Sequence, residues 1–149
     1  MSEKITSLPD LNRVFKNFQL LESWEERYKY IIQLGAKLPP MDEAYKTEEN
    51  RVRGCSSQVW MVSSPDNSSK SELNFLADSD AHIVRGLIAL LMIVYNHQTP
   101  RDVIQTDIRP IFSKLGLENH LSPTRTNGFY SMVEKIRLLA IQLTQEANS

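Results

Sequence analysis

Residues 83–94 form the most apolar stretch of the chain, and their spacing predicts a helix with little polar surface. Its apolar positions are Ile83, Val84, Leu87, Ile88, Leu90, Leu91 and Val94. A helix that is apolar on nearly every side has to be covered by other elements, so we expect it to be the central, buried helix. Ser79 or Asp80 is predicted to cap its start, and it should end near Asn96. The apolar run from Gly86 to Tyr95 is too short to cross a bilayer, so no membrane span is expected.

Amphipathic segments on both sides of this stretch predict further helices that pack around it. Capping residues, glycines and prolines indicate where each one begins or ends. Before the central stretch, one helix is predicted from a weak capping box of Ser7 and Asp10 to about Leu20, and a second from a clearer box of Ser23 and Glu26 to Gly35. After it, one helix is predicted to start at Thr99 and Pro100, and another to span Asp107 to Leu115 before Gly116. The last helix is predicted to start at Asn127 or Gly128 and to run towards the C-terminus.

Two β-forming runs on either side of a dense turn predict an antiparallel hairpin. The first strand follows Cys55 and runs to about Ser63, the turn is Pro65 to Ser69, and the second strand is Glu72 to Ala77. The short run before Cys55 is predicted to add a third strand. We therefore predict an α+β fold with a small three-stranded antiparallel sheet and helices on one side. The length of 149 residues suits a single domain over residues 1–149.

The only cysteine, Cys55, lies between a glycine and two serines, at a predicted bend between β-forming runs. Gly54 permits that bend, because a residue without Cβ adopts positive φ and lets a second molecule approach the sulfur. Arg51 and Arg53 alternate with Cys55 on one face, so we expect their charge to lower the thiol pKa. Free cysteines also serve simply as small buried apolar residues. The residues alone support a reactive and a structural Cys55 about equally.

Composition argues against several classes of function. A formal net charge of −1 gives no electrostatic case for nucleic acid. One thiol and three dispersed histidines supply no ligand pattern for a metal or Fe-S site, so none is expected. A cysteine-dependent hydrolase would need His82, His97 or His120 as its base, and no second catalytic motif accompanies them. The first residues lack an apolar signal core and one cysteine cannot form an internal disulfide, so a cytoplasmic location is expected.

Arg125 follows Ser122-Pro123-Thr124 in a stretch that is predicted to be irregular. No helical neighbour accounts for a long cation there, and loops often carry binding residues. A solvated or helix-capping arginine is the simpler interpretation. A binding role for Arg125 is therefore one of two alternatives.

Four blocks of residues follow one another in a specific order along the chain. They are Trp24 to Tyr28 with Leu34-Gly35 and Leu38-Pro39; Asn50, Val52, Gly54-Cys55, Ser57 and Val59-Trp60; Ala77 to Ala81 with Ile83-Val84 and Gly86-Leu87; and His120 to Pro123 with Arg125 and Asn127-Gly128. In these blocks the chain resembles the SufE family of cysteine desulfuration proteins, which are sulfur acceptors for cysteine desulfurases.

The resemblance implies that Cys55 takes persulfide sulfur from a cysteine desulfurase, either SufS-like or CsdA-like, and stimulates that enzyme. The sulfur would then pass to an Fe-S assembly scaffold of the SufBCD-like kind. The desulfurase is expected to use pyridoxal phosphate, whereas this chain is expected to bind no cofactor. The family fold is similar to that of Fe-S scaffold proteins. A cysteine-dependent hydrolase, or a binding module with a structural cysteine, is the alternative.

The resemblance also implies which residues surround the thiol. Candidates for the loop and for partner docking are Arg51, Arg53, Gly54, Ser57 and Arg125. The family keeps the resting cysteine against an apolar cavity, and the candidate walls here are Trp60 and the helix around Gly86. A covered thiol requires the loop to move when the desulfurase docks.

Overall fold

Six helices and a two-stranded sheet make up the part of the chain described by the computed structural model, residues 8–64 and 72–147. The helices are α1 (Leu11–Leu20), α2 (Trp24–Gly35), α3 (His82–Tyr95), α4 (Pro100–Gln105), α5 (Arg109–Lys114) and α6 (Pro123–Ala147), and the strands are β1 (Val59–Ser63) and β2 (Phe75–Ser79). Short 3-10 turns lie at Glu43–Tyr45, Glu48–Asn50 and Leu117–Asn119.

Helix α3 is the central helix, as its apolar pattern predicts. Ten of its 14 residues are buried. It crosses α2 at two glycines, because a Cβ on Gly86 would overlap the backbone carbonyl of Ile31, and a Cβ on Gly35 would lie 2.6 Å from the amide nitrogen of Gly86. Close contact between the two helices therefore requires glycine at both positions. In the described residues, no helix is both long enough and apolar enough to span a membrane.

Several helix ends are confirmed where the signal is local. Ser23 and Glu26 form both hydrogen bonds of the predicted capping box at the start of α2, and α2 ends at Gly35. Thr99 caps α4, with Pro100 in its first turn. Helix α1 begins after Asp10, whose carboxylate accepts a hydrogen bond from the amide of Arg13. The predicted partner of Asp10, Ser7, lies outside the described residues.

Two predicted helix starts are wrong. Neither Ser79 nor Asp80 caps α3, which begins after Ala81 without a side-chain cap; the Asp80 carboxylate instead accepts a hydrogen bond from the amide of Gln58. Helix α6 begins at Pro123, well before Asn127, because the hydroxyl of Ser122 accepts a hydrogen bond from the amide of Arg125. Arg125 therefore lies in the first turn of a long helix rather than in an irregular stretch. Helix α5 is also shorter than predicted, spanning Arg109–Lys114.

The α+β class is confirmed, but the predicted third strand is wrong. Strands β1 and β2 pair antiparallel, with Val59 opposite Ser79 and Ser63 opposite Phe75. The run before Cys55 adds only a single bridge, between Arg51 and Trp60. A 3-10 turn ends just before Arg51 and the chain turns again straight after Val52, so too few extended residues remain for a strand.

The second strand is displaced towards the C-terminus of its predicted range. It covers Phe75–Ser79 rather than Glu72 to Ala77, because Leu73 pairs with Gln98, in the segment between α3 and α4, instead of with β1. The predicted turn at Pro65 to Ser69 lies outside the described residues. Along β2 buried and partly exposed residues alternate, so one face of the sheet packs against the helices.

Candidate functional site

Cys55 lies in a short loop, Arg53 to Gln58, whose two ends are held together. The amide of Val52 donates to the carbonyl of Val59 at 2.9 Å. Asp80 holds the far end, because its carboxylate accepts from the amide of Gln58 at 3.1 Å and its own amide donates to the carbonyl of Gln58 at 3.3 Å. The loop therefore projects from a fixed base.

The tip of the loop packs on the first turns of α6 through two glycines. Gly54 has a φ of +89°, and a Cβ on it would overlap the hydroxyl of Ser131. On Gly128 a Cβ would lie 3.4 Å from the Sγ atom of Cys55, and the thiol of Cys55 donates to the Gly128 carbonyl at 3.6 Å. Gly54 thus has two roles: it adopts a positive φ that residues with a side chain disfavour, and its lack of a Cβ lets the loop approach the helix closely.

The surroundings of Cys55 raise its thiol pKa, contrary to the prediction from the two arginines. Burial of the half-buried sulfur is the larger effect and raises the pKa, while the charge of Arg51 lowers it by less. The exposed Arg53 is instead bound to Glu48, with 2.6 Å between its Nη1 and the carboxylate. At neutral pH the resting thiol is therefore protonated.

A small, mainly apolar cavity of about 20 Å³, partly open to solvent, adjoins the thiol. Its lining combines the loop with one face each of α3 and α6. The lining residues are Cys55, Ser56, Ser57, Val84, Leu87, Thr124, Arg125, Gly128, Phe129 and Met132. The partly buried Arg125 makes no ion pair within the described residues. The cavity thus combines apolar side chains of α3 and α6 with three hydroxyl side chains and one cation, Arg125.

Of the two predicted walls, the helix around Gly86 does line the cavity, through Val84 and Leu87, whereas Trp60 does not. Gly86 is on α3, but it faces the backbone of Ile31 in α2. The ring of Trp60 lies beside Lys46, with 5.6 Å between the Nζ atom and the ring centroid. Trp60 does not line this cavity, because β1 turns its side chain to the face opposite the buried Val59 and Met61.

None of the three histidines supplies a base for Cys55 in the part of the chain that the structure describes. His120 stacks on Trp24 with 3.8 Å between ring centroids, and the hydroxyl of Tyr28 donates to its backbone carbonyl. His97 lies 3.7 Å from Glu72, and His82 is exposed at the start of α3. The arrangement required of a cysteine-dependent hydrolase is therefore missing here.

The face of α6 in the cavity was not predicted, because that helix was predicted to start too late. Once the helix starts at Pro123, positions 125, 128, 129 and 132 follow helical spacing and share one face. Ser122 followed by Pro123 is the signal that identifies this start, since serine is a preferred cap and proline suits the first helical position. Val84 and Leu87 reach the cavity only through the tertiary fold.

Residues 12–140 match the family model described as "SufE: Fe-S metabolism associated domain". The chain belongs to the SufE family. The match confirms the resemblance and associates the chain with Fe-S metabolism. The fold of this SufE chain also matches a solved structure, the solution structure of a hypothetical protein from Thermus thermophilus, with a TM-score of 0.71. The sequence identity is 18%, and the alignment covers 91% of this chain and 96% of that one.

Proposed function

We propose that this SufE chain is a sulfur carrier that takes persulfide sulfur from a cysteine desulfurase onto Cys55 and delivers it for Fe-S cluster assembly. The observation that carries the proposal is the placement of Cys55, on a projecting loop beside an apolar cavity and away from any histidine base. Sulfur transfer requires one accessible thiol and no resident general base once that thiol is ionised.

The transfer itself is an exchange at a sulfur-sulfur bond. The Cys55 thiolate attacks the terminal sulfur of the persulfide on the donor, and a bond forms between the two sulfurs while the donor bond breaks. The donor cysteine leaves as a thiolate and takes up the proton that Cys55 released. Sulfur changes carrier without net oxidation or reduction. The pyridoxal phosphate that produces the donor persulfide belongs to the desulfurase.

The resting geometry suits a thiol that has to be protected between transfers. A protonated, half-buried cysteine is oxidised more slowly than an exposed thiolate. The same covering keeps a donor sulfur away from Cys55, so docking has to shift the loop. The positive φ of Gly54 places a conformationally permissive residue directly before the cysteine.

Arg125 is the cation best placed to act on the loaded sulfur. Its side chain lines the same cavity as the thiol, and a persulfide terminus is anionic at neutral pH. We assign Arg125 the role of offsetting that charge, and Arg51 the smaller role of favouring the thiolate at the moment of attack. Both are positioned around the sulfur rather than bonded to it.

The test compares wild type with Cys55→Ser after incubation with a SufS-like desulfurase and free cysteine. Intact mass should show one added sulfur atom on the wild type and none on Cys55→Ser. The free energy of unfolding of the variant, measured by thermal melting, should stay within about 1 kcal/mol of that of wild type. Serine is close to cysteine in size, and the hydrogen bond that the thiol donates is weak. Wild-type protein that acquires no sulfur, or a variant that still acquires it, would overturn the proposal.

A further inference from the structure

A second depression lies on the other side of the cysteine loop, between residues 51–53 and one face of α6. This "α6 groove" is wide and open to solvent, with a volume of about 620 Å³. Its lining is Arg51, Val52, Arg53, Asn127, Tyr130, Ser131, Glu134, Lys135 and Leu138. The positions on α6 recur every three or four residues, so they form one continuous stripe along the helix.

The charged side chains of the groove are mostly basic. Arg51, Arg53 and Lys135 line it, against a single carboxylate, that of Glu134. Glu134 is bound to Arg137, with 3.3 Å between the charged groups, whereas Lys135 makes no ion pair within residues 8–64 and 72–147. The chain as a whole carries a net charge of −1. Glu48 pairs with both arginines, at 2.6 Å from Arg53 and 3.7 Å from Arg51. Lys135 is therefore the groove cation that is left to attract a carboxylate of a partner.

The far end of the groove is apolar. Among the described residues, the large apolar side chains that are exposed are Leu20, Ile32, Leu138 and Ile141. Two of these lie one turn apart on α6, with Leu138 at 52% and Ile141 at 36% exposure. Because the α6 groove combines cations with an apolar patch at one end, it is complementary to a segment that carries carboxylates together with an apolar side chain.

The groove is continuous with the reactive loop. Ser131 in its wall occupies the space beside Gly54, so the loop forms one edge of the groove. Arg51 belongs both to the groove and to the surroundings of Cys55, because its charge acts on the thiol pKa. A segment that enters the groove would therefore press on the loop at the residue that precedes the cysteine.

We propose that the α6 groove docks an acidic segment of the desulfurase that carries an apolar side chain, which seats on Leu138. This inference rests on the proposed function, since it names where the sulfur donor is held. Filling the groove against Ser131 and Gly54 is the step that displaces the cysteine loop from its cavity. Lys135 and Leu138 are binding residues distant from the sulfur, so their loss should weaken docking and leave the chemistry intact.

The test uses Lys135→Glu and Leu138→Ser, with Lys29→Glu and Leu20→Ser as matched controls. Lys29 is exposed on α2 and Leu20 is 78% exposed on α1, both away from the groove. Sulfur loading is measured over a range of carrier concentrations with a SufS-like desulfurase and free cysteine. We expect the concentration for half-maximal loading to rise roughly fivefold to tenfold in the groove variants, while the maximal rate stays unchanged. The effect of Lys135→Glu should shrink at high salt.

The outcomes separate this inference from the function on which it rests. If wild type is loaded and the groove variants match their controls, the groove is not the docking site and the carrier function stands. A lower maximal rate at unchanged half-saturation would also overturn the docking role, because it would place Lys135 or Leu138 in the transfer step. If wild type is not loaded at all, the proposed function fails and the groove inference with it.

Discussion

At the scale of single residues, Cys55 shows how burial and charge compete at one atom. Two nearby arginines in the sequence predicted a lowered pKa, yet one of them is bound to Glu48 and the other acts less strongly than desolvation. Sequence spacing locates charges, but it does not show how they are paired or how deeply the sulfur lies. Because folding raises this pKa above its usual value of 9.0, the thiol stabilises the fold below that pH, and this contribution is lost as the pH rises through the folded-state pKa.

Arg125 provides a test of the charge in the wall of the cysteine cavity. The variant Arg125→Glu should lower the maximal rate of sulfur loading about tenfold, because a carboxylate beside the anionic persulfide disfavours it. Stability should change little, since Arg125 lies in the first turn of α6, where a negative charge interacts favourably with the helix dipole. The measurement is loading at saturating carrier together with thermal melting.

Arg101→Glu is the control for this prediction, since Arg101 is an exposed arginine in the first turn of α4. It should leave both loading and melting unchanged. Equal loading rates for Arg125→Glu and Arg101→Glu would contradict a role for Arg125 at the sulfur. A drop in rate accompanied by an equal loss of folded protein would make Arg125 a structural residue.

At the scale of elements, two helical glycines have different reasons to be glycine. Gly86→Ala should destabilise the protein by about 1–3 kcal/mol, because the new Cβ overlaps the backbone of Ile31 and forces α2 and α3 apart. Gly128→Ala should be neutral or stabilising by up to about 1 kcal/mol, since alanine favours the helix and its Cβ only contacts Cys55 at ordinary distance. Urea unfolding of the two variants checks both signs, and equal destabilisation would show that the cysteine loop is packed more tightly on α6.

Elements defined by local chemistry were predictable from the sequence. The Ser23–Glu26 box and Thr99-Pro100 mark helix starts through side-chain and backbone groups only a few residues apart, and both starts are confirmed. The strand count failed because pairing is decided at long range. Leu73 pairs with Gln98 rather than with β1, and the run before Cys55 is cut short by the turns on either side of it.

The start of α6 failed for a different reason. Asn127 and Gly128 have the chemistry of a helix boundary, yet they lie inside the helix, because the Ser122 hydroxyl caps it and Pro123 begins it. A serine followed by a proline was the stronger local signal for this start. The Gly-Cys-Ser-Ser setting singled out Cys55 but left a reactive and a structural role open. The cavity, with the helix around Gly86 as one wall, was implied by the family resemblance and not by the residues alone.

At the scale of the whole molecule, a rigid framework holds one short loop between two depressions. Helix α3 and the sheet form the buried framework, and α6 runs along both the apolar cavity and the open basic groove. The thiol faces the cavity in this arrangement, through its bond to the Gly128 carbonyl. A partner in the groove contacts the loop from the opposite side. Under the docking proposal, occupation of the groove and exposure of the thiol are coupled through the contact of Gly54 with Ser131.

This coupling predicts that the desulfurase changes the reactivity of Cys55. Iodoacetamide should alkylate the free folded protein more slowly than the urea-unfolded chain, because burial lowers both access and the thiolate fraction. Adding a SufS-like desulfurase without its cysteine substrate should speed the labelling of Cys55. The labelling is measured from the mass of the Cys55 peptide, so that labelling of the enzyme is not counted. The rate in the free protein should still rise with pH above 9.0, since its pKa is raised.

Gly54→Val provides the internal comparison for this last prediction. A β-branched residue disfavours the φ of +89°, and its Cβ overlaps the Ser131 hydroxyl, so the loop should be held off α6 even without a partner. Its Cys55 should then be alkylated faster than in wild type and respond little to the desulfurase. Rapid labelling of wild type that equals the unfolded rate and ignores the desulfurase would instead mean a permanently exposed thiol. In that case the cavity beside Cys55 would have no protective role, and loading would depend on docking alone.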